Sequence, residues 1–157
     1  MLLYGLPGSG KSTFARRLVA ELPAVTLSPD QWSADLGVDV FDETFRYRLE
    51  QRFIGLAWEL LALGSTVVLE FGLWGRDERD LLRDGARSRG VPVELHHLDA
   101  PFEDLWSRVD ARNARGGHGT AQIPRAELER YATVFQRPDA AELAAYDPPR
   151  IPWTPAR

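Results

Sequence analysis

Two spacings of apolar residues alternate along the chain. Met1 to Tyr4 is a continuous apolar run of strand character, and from Ser12 to Leu22 apolar residues recur at helical intervals. Pro23 breaks that helix, and Ala24 to Ser28 reads as a second short strand ending at Pro29-Asp30-Gln31-Trp32. Phe45, Leu49, Phe53, Ala57 and Leu60 then mark one stripe of a long helix, closed by Gly64. Thr66 to Phe71 is β-branched and almost uniformly apolar, as expected of a parallel strand buried on both faces, with Glu70 interrupting it near its end. A helix from about Arg76 to Ser88 and a strand from Val91 to Leu98 follow. Pro101 opens another helix, with Phe102, Leu105, Trp106 and Val109 on one side and Arg108, Arg112 and Arg115 on the other. Pro124 starts a further helix with Leu128, Tyr131, Ala132 and Phe135 in register.

Strand and helix in regular alternation predict an α/β fold: a three-layer sandwich around a mostly parallel sheet of four or five strands, with ligands above the strands' carboxyl ends. The chain is expected to form one domain over 1–157. The arginine-bearing helix and the segment Gly116-Gly117-His118-Gly119-Thr120 read as a small helical lid at about 108–125. A proline-rich tail spans about 137–157, in which Ile151 to Trp153 adds at most a short edge strand.

The turn after the first strand carries the chemistry. Gly5-Leu6-Pro7-Gly8-Ser9-Gly10-Lys11-Ser12 is a complete GxxxxGK[S/T] loop, preceded by a strand and followed by a helix, and Lys11 is the only lysine beside eighteen arginines. Glycines let successive N–H groups curl inward, and the helix that follows adds its positive end to the same anion site. Gly5, Pro7, Gly8, Ser9, Gly10, Lys11, Ser12 and Thr13 are therefore the expected nucleotide-phosphate contacts. Lys11 reaches the outer phosphates, and Ser12 offers a hydroxyl to Mg2+. Asp30 and Glu70 come to the same edge from the second and third strands.

Phosphoryl transfer to an alcohol requires a carboxylate that orients the hydroxyl and accepts its proton. Asp30 is the candidate, with a helix N-cap as its alternative role. Glu70 suits magnesium or the acceptor and needs a partner against the cost of burial, for which Arg76 and Arg79 are the candidates; a purely structural Glu70–Arg79 ion pair is the alternative. Arg112 is expected to stabilise the transferring phosphoryl group and Arg108 to lie nearer the nucleotide base. Trp32 and Trp74 are candidate walls of an acceptor pocket, with Arg79 beside them. His96 and His97 point to opposite faces of a strand and are expected to pack rather than share a metal.

Composition narrows the partners. A formal net charge of −4 argues against coating nucleic acid or a membrane, and no apolar run approaches a membrane span. The absence of cysteine excludes disulfides and thiolate chemistry and agrees with a cytoplasmic setting. No protein partner is read from the sequence.

The chain resembles small P-loop kinases of the group containing phage polynucleotide kinase, zeta toxins, chloramphenicol phosphotransferase and AAA-type ATP-binding proteins. The resemblance rests on Gly5 to Thr13, on Leu27-Ser28-Pro29-Asp30-Gln31-Trp32, on Val67 to Gly72 with Arg79 following, and on Asp99-Ala100-Pro101 with Arg108 and Arg112. It implies an ATP- and magnesium-dependent kinase in which Asp30 activates the acceptor hydroxyl. Pro29 replaces a basic residue of polynucleotide kinase, and Ser33 stands where an arginine grips the substrate phosphate. The expected acceptor is accordingly a small molecule such as a nucleoside, sugar or antibiotic. A 5′-hydroxyl polynucleotide kinase and an ATP-hydrolysing switch or interaction module are the alternatives.

Overall fold

A computed structural model describes residues 1–116 and 121–153. In chain order the elements are β1 (Leu2–Tyr4), α1 (Lys11–Glu21), β2 (Ala24–Leu27), α2 (Pro29–Asp35), α3 (Glu43–Ala62), β3 (Thr66–Glu70), α4 (Arg76–Arg87), β4 (Leu95–His97), α5 (Phe102–Arg115), α6 (Arg125–Val134) and α7 (Ala140–Ala144). Their four strands are parallel and ordered β2-β3-β1-β4. The three-layer α/β sandwich of P-loop NTPase type expected from the sequence is the fold that the chain adopts, with four strands among the described residues.

Two-residue periodicity in the central strands divides the core. Leu3 and Val68 face one way and pack with Phe14, Ala15 and Leu18 of α1. Leu2, Tyr4, Val67 and Leu69 face the other way, against Phe53 and Ala57 of α3 and Leu82 and Ala86 of α4. A third cluster joins Leu6 of the glycine-rich loop to Leu105 and Val109 of α5, Ile123, and Leu128 of α6. That cluster braces the loop from the side. His96 and His97 divide as expected, His96 toward Phe14 and His97 stacked on Tyr4, and burial holds both below the ordinary histidine pKa.

Register places the strand ends together. Leu3 pairs with Glu70, Leu27 with Leu69, and Tyr4 with His97. The glycine-rich loop, Glu70 and the start of α2 therefore emerge along one edge of the sheet.

One expectation is corrected at the far end of the chain, the length of β4. Strand β4 is shorter than 91–98: Val93 donates its N–H to the Asp147 carboxylate at 2.7 Å, and Glu94, whose carbonyl accepts from the Leu2 N–H at 2.9 Å, makes an isolated parallel bridge with Asp147. No edge strand forms at 151–153. Ile151 packs instead with the α1 cluster, and the Arg150 side chain is held by Glu94 at 2.6 Å.

The larger correction concerns Arg79, expected beside Glu70 and the substrate. It is fully buried, donating from Nε and Nη2 to both Glu142 oxygens at 2.6 and 3.0 Å. Nη1 donates to the Leu73 and Trp74 carbonyls at 2.9 and 3.2 Å, and the guanidinium lies 4.5 Å from the centre of the Tyr4 ring. Arg79 thus has no free donor face for an acceptor. It holds the loop after β3, where Leu73 sits at φ 47°, and ties α4 to α7 within the proline-rich tail. Arg76 is likewise committed elsewhere, to Asp139 at 3.1 Å and Asp80 at 3.6 Å.

Removing one partner of a buried pair leaves the other charge uncompensated. Glu142→Ala should therefore lower the unfolding free energy by about 3–5 kcal/mol, and Arg79→Met combined with Glu142→Leu should recover most of it. Guanidinium unfolding curves check this; a loss below about 1 kcal/mol for Glu142→Ala, the size of an exposed pair, would show that the contact is not structural.

Candidate active site

The loop after β1 owes its path to missing side chains. At Gly5 a Cβ would lie 2.3 Å from the Leu98 carbonyl oxygen and 2.7 Å from Ser9 Oγ; at Gly8, where φ is 84°, it would lie 2.6 Å from the Leu105 carbonyl oxygen. Gly10 follows as the N-cap of α1, at φ 97°. No side chain caps that helix and no acidic residue occupies its first turn, so its free N–H groups and positive dipole end are left for an anion. Ser9 is buried, with its Oγ unpaired among the described residues. Pro7 is half-buried and Thr13 exposed.

Lys11 folds over the loop, its Nζ donating to the Gly5 and Leu6 carbonyls at 2.7 and 3.2 Å. Burial lowers its pKa to about 8, opposed by Glu70 and Asp30 and assisted by Arg112 and Arg46. These five charges belong to the loop and to four other elements, and they act on one another at the carboxyl edge of the sheet.

Glu70 ends β3 half-buried and accepts a hydrogen bond from the Ser12 hydroxyl. Burial raises its pKa, while Ser12 and Lys11 hold it down. The partner demanded by its burial is thus the loop, not an arginine of α4. A hydroxyl and a carboxylate side by side are hard oxygen donors of the kind Mg2+ takes. Among the described residues no group of three or more His, Cys, Asp or Glu could cage a metal.

Asp30 lies in the first turn of α2, after Pro29 at N1, but it does not cap the helix: the N-cap is Ser28 and no side-chain cap bond forms. Its Oδ1 accepts instead from Arg46 Nη1, and the carboxylate stays largely exposed. Arg112, on α5, turns its Nε and Nη2 into the interior without a partner among the described residues. Burial depresses its pKa, and Asp30 is the charge that opposes this. A half-buried guanidinium with unused donors, within electrostatic reach of Asp30 and Lys11, is a candidate site for further negative charge.

Arg108 donates to the Gly8 carbonyl at 3.3 Å, against the loop, whereas Arg115 turns back onto the Ala111 carbonyl of its own helix. Asn113 organises the approach to α6, with Nδ2 to the Ile123 carbonyl at 2.8 Å and Oδ1 accepting from the Ile123 N–H at 3.3 Å. Residues 117–120, at the centre of the expected lid and including His118, lie outside the described residues, as do 154–157 of the tail. Trp32 stands exposed beside Asp30 and meets Phe53 edge-on, with ring centres 5.1 Å apart. Trp74 is half-buried and tilts against Tyr131 of α6, 4.8 Å between centres.

Arg46 and Glu50 are the charged residues that sequence reasoning passed over. Their i,i+4 spacing looks like an ordinary surface pair. A signal was nevertheless present, since Arg46 lies next to the first turn of α3, where the helix dipole disfavours a cation.

No curated protein matches the chain. Among solved structures it is similar to a chain of the Pnkp1/Rnl/Hen1 RNA repair complex, at 24% identity and TM-score 0.71, over 85% of this chain and 42% of that one. It is also similar to Chaetomium thermophilum Kti12 in complex with ADP-AlF3 (19%, TM-score 0.69, 90% and 83% covered) and to a sugar kinase from Janibacter sp. HTCC2649 (23%, TM-score 0.62, 88% and 78%). This chain thus spans less than half the length of the RNA repair protein, and at these identities the likeness is one of fold. No described helix is long and apolar enough to cross a membrane. Residues 1–138 match the sequence model of the AAA domain, so the chain belongs to that family, on the fold of the P-loop kinases.

Proposed function

We propose that the protein is an ATP- and magnesium-dependent phosphotransferase that moves the γ-phosphoryl group to a hydroxyl of a small molecule. One observation supports it above the others: Lys11, Glu70, Asp30 and Arg112 converge from separate elements on an open helix N-terminus. A phosphate cradle alone needs no exposed carboxylate opposite it. A hydrolytic switch needs no acidic group presented on a helix toward an incoming alcohol.

The acceptor hydroxyl gives its proton to Asp30 while its oxygen bonds to the γ-phosphorus, and the bond from that phosphorus to the β–γ bridging oxygen breaks, releasing ADP. Lys11, the loop N–H groups and Arg112 stabilise charge on the phosphoryl oxygens and the leaving group. Ser12 and Glu70 would hold magnesium, which when bound neutralises phosphate charge. Trp32, exposed two residues after Asp30, would wall the acceptor site, and Arg108, bonded to the Gly8 carbonyl, would lie nearer the nucleotide base. The acidic net charge and the buried Ser33, in place of a phosphate-gripping arginine, favour a small molecule over a polynucleotide. The sugar kinase and gluconokinase among the similar folds are in keeping with a hydroxyl acceptor.

Labelled-ATP transfer across nucleosides, sugars, sugar acids and hydroxylated antibiotics tests the reading. Lys11→Ala should lower turnover by roughly 10²–10³, as for loss of one preorganised stabilising group. Asp30→Asn should keep ATP affinity and lose transfer; loss of ATP affinity in that variant would make Asp30 structural.

Lys11 also sets a pH dependence. With its pKa lowered to about 8 it is charged below that value and neutral above it, and bound triphosphate favours the charged form. ATP binding without magnesium at pH 8.5–9 should take up a proton, and affinity should fall by up to about tenfold per pH unit above 8. Calorimetry in buffers of different ionisation enthalpy measures the uptake. Equal uptake in Lys11→Met would assign the proton to another group.

A further inference from the structure

Arg46 reaches Asp30 from a different helix, and nothing in the family match or the similar structures assigns it a task. We propose that Arg46, clamped by Glu50, is the positioning residue that orients Asp30 toward the acceptor; this rests on the phosphotransferase reading above.

The geometry is that of a two-sided clamp. Arg46 Nη1 donates to Asp30 Oδ1 while Nε pairs with Glu50 Oε1 at 3.0 Å. The side chains of Arg46 and Glu50 are 30% and 25% exposed, and that of Asp30 is 68% exposed. The clamp is thus the sheltered part and the carboxylate the presented part. Burial lowers the Arg46 pKa, but Asp30 and Glu50 more than offset it, so the guanidinium stays charged. Only a guanidinium, with separate N–H groups on a rigid plane, serves two carboxylates in this way.

The surroundings make the clamp stiff. Asp42 caps α3 by accepting from the Phe45 N–H at 2.9 Å, which sets the turn that carries Arg46. Trp32 meets Phe53 edge-on and seats α2 against α3. Asp30 itself sits on a seven-residue helix with no side-chain cap, and the neighbouring Ser33 is buried, so α2 supplies no cation of its own. Without Arg46, an exposed aspartate would be free to change rotamer.

The clamp also leaves the working atom open. Among the described residues Asp30 Oδ1 is engaged by Arg46 and Oδ2 takes no hydrogen bond. Oδ2 is then the atom that receives the proton as the acceptor oxygen bonds to phosphorus, and Arg46 touches neither. Misplacing a reacting group by about 1 Å can cost on the order of 10²-fold in rate.

ADP release from MgATP, with water as acceptor and then with the best alcohol of the panel, is measured for the parent protein, Asp30→Asn, Arg46→Met, Arg46→Lys and Glu50→Gln, alongside thermal midpoints and binding of a fluorescent ATP analogue. Arg46→Met should lower kcat by about 10- to 100-fold with the KM for ATP within about twofold. Arg46→Lys should recover only part of the loss, because an ammonium cannot bridge both carboxylates. Glu50→Gln should fall in the same direction by less, and it tests the clamp should Arg46→Met fail to fold. Parent-like kcat in Arg46→Met, with Asp30→Asn inactive, overturns the positioning role alone. So does a change confined to the KM of the alcohol, which would make Arg46 an acceptor contact. Equal ADP release by the parent protein and Asp30→Asn removes the phosphotransferase reading and this proposal with it.

Discussion

Backbone at Gly5 and Gly8 runs so close to the Leu98 and Leu105 carbonyls that a single methyl group would collide at either position. That close approach seats the loop between β4 and α5 and aims the first turn of α1 across the top of the sheet. Everything else in the site is arranged around the resulting anion cradle. Lys11 bends over it, Ser12 and Glu70 stand on its floor, and the α5–α6 cluster around Leu6, Leu105 and Leu128 supports its side. Parallel pairing of β1 with both β3 and β4 makes the placement rigid, because one register brings Glu70 and His97 level with the end of β1.

Charge is distributed over the molecule in two distinct ways. In the interior, Arg79 gives two N–H groups to Glu142 and two more to loop carbonyls, with each of its nitrogens engaged. At the sheet edge the pairing among the described residues is incomplete by comparison: Arg112 has unpaired nitrogens, Asp30 is half-engaged, and Glu70 has serine hydroxyls and a nearby ammonium as partners. Buried polar groups are ordinarily paired, so under-satisfied charge gathered beside an open helix N-terminus is the feature on which the proposed ligand site rests. Arg79 and Arg112, both on helices and both separated far in sequence from their charged neighbours, thus differ in how far their donors are satisfied among the described residues.

Much of this was legible in order of locality. The alternation of spacings located β1 to β3 and α3 to α6 within a few residues, because each element's face is written in its own apolar period. The loop was legible too, since its conformational demands fall on consecutive residues. Element boundaries failed where partners came from elsewhere. Val93 and Glu94 pair with Asp147 ahead of the start of β4, and the tail that looked like prolines and loop contains α7, capped by Asp139 and anchored through Glu142 to the buried Arg79.

The sequence by itself determined the fold class, the phosphate cradle and the presence of acids just after β2 and at the end of β3, since strand period, glycine placement and the GxxxxGK[S/T] spacing are all local properties. Tertiary structure alone decided which charges meet. Arg79 and Glu142 are 63 residues apart, Ser12 and Glu70 are 58 apart, and Arg46 and Asp30 lie on different helices, so their pairing depends on how helices cross the sheet. A side chain's type is encoded at its own position, whereas its partner is set by packing, and with eighteen arginines available the chain gives no local sign of which one a given carboxylate will find.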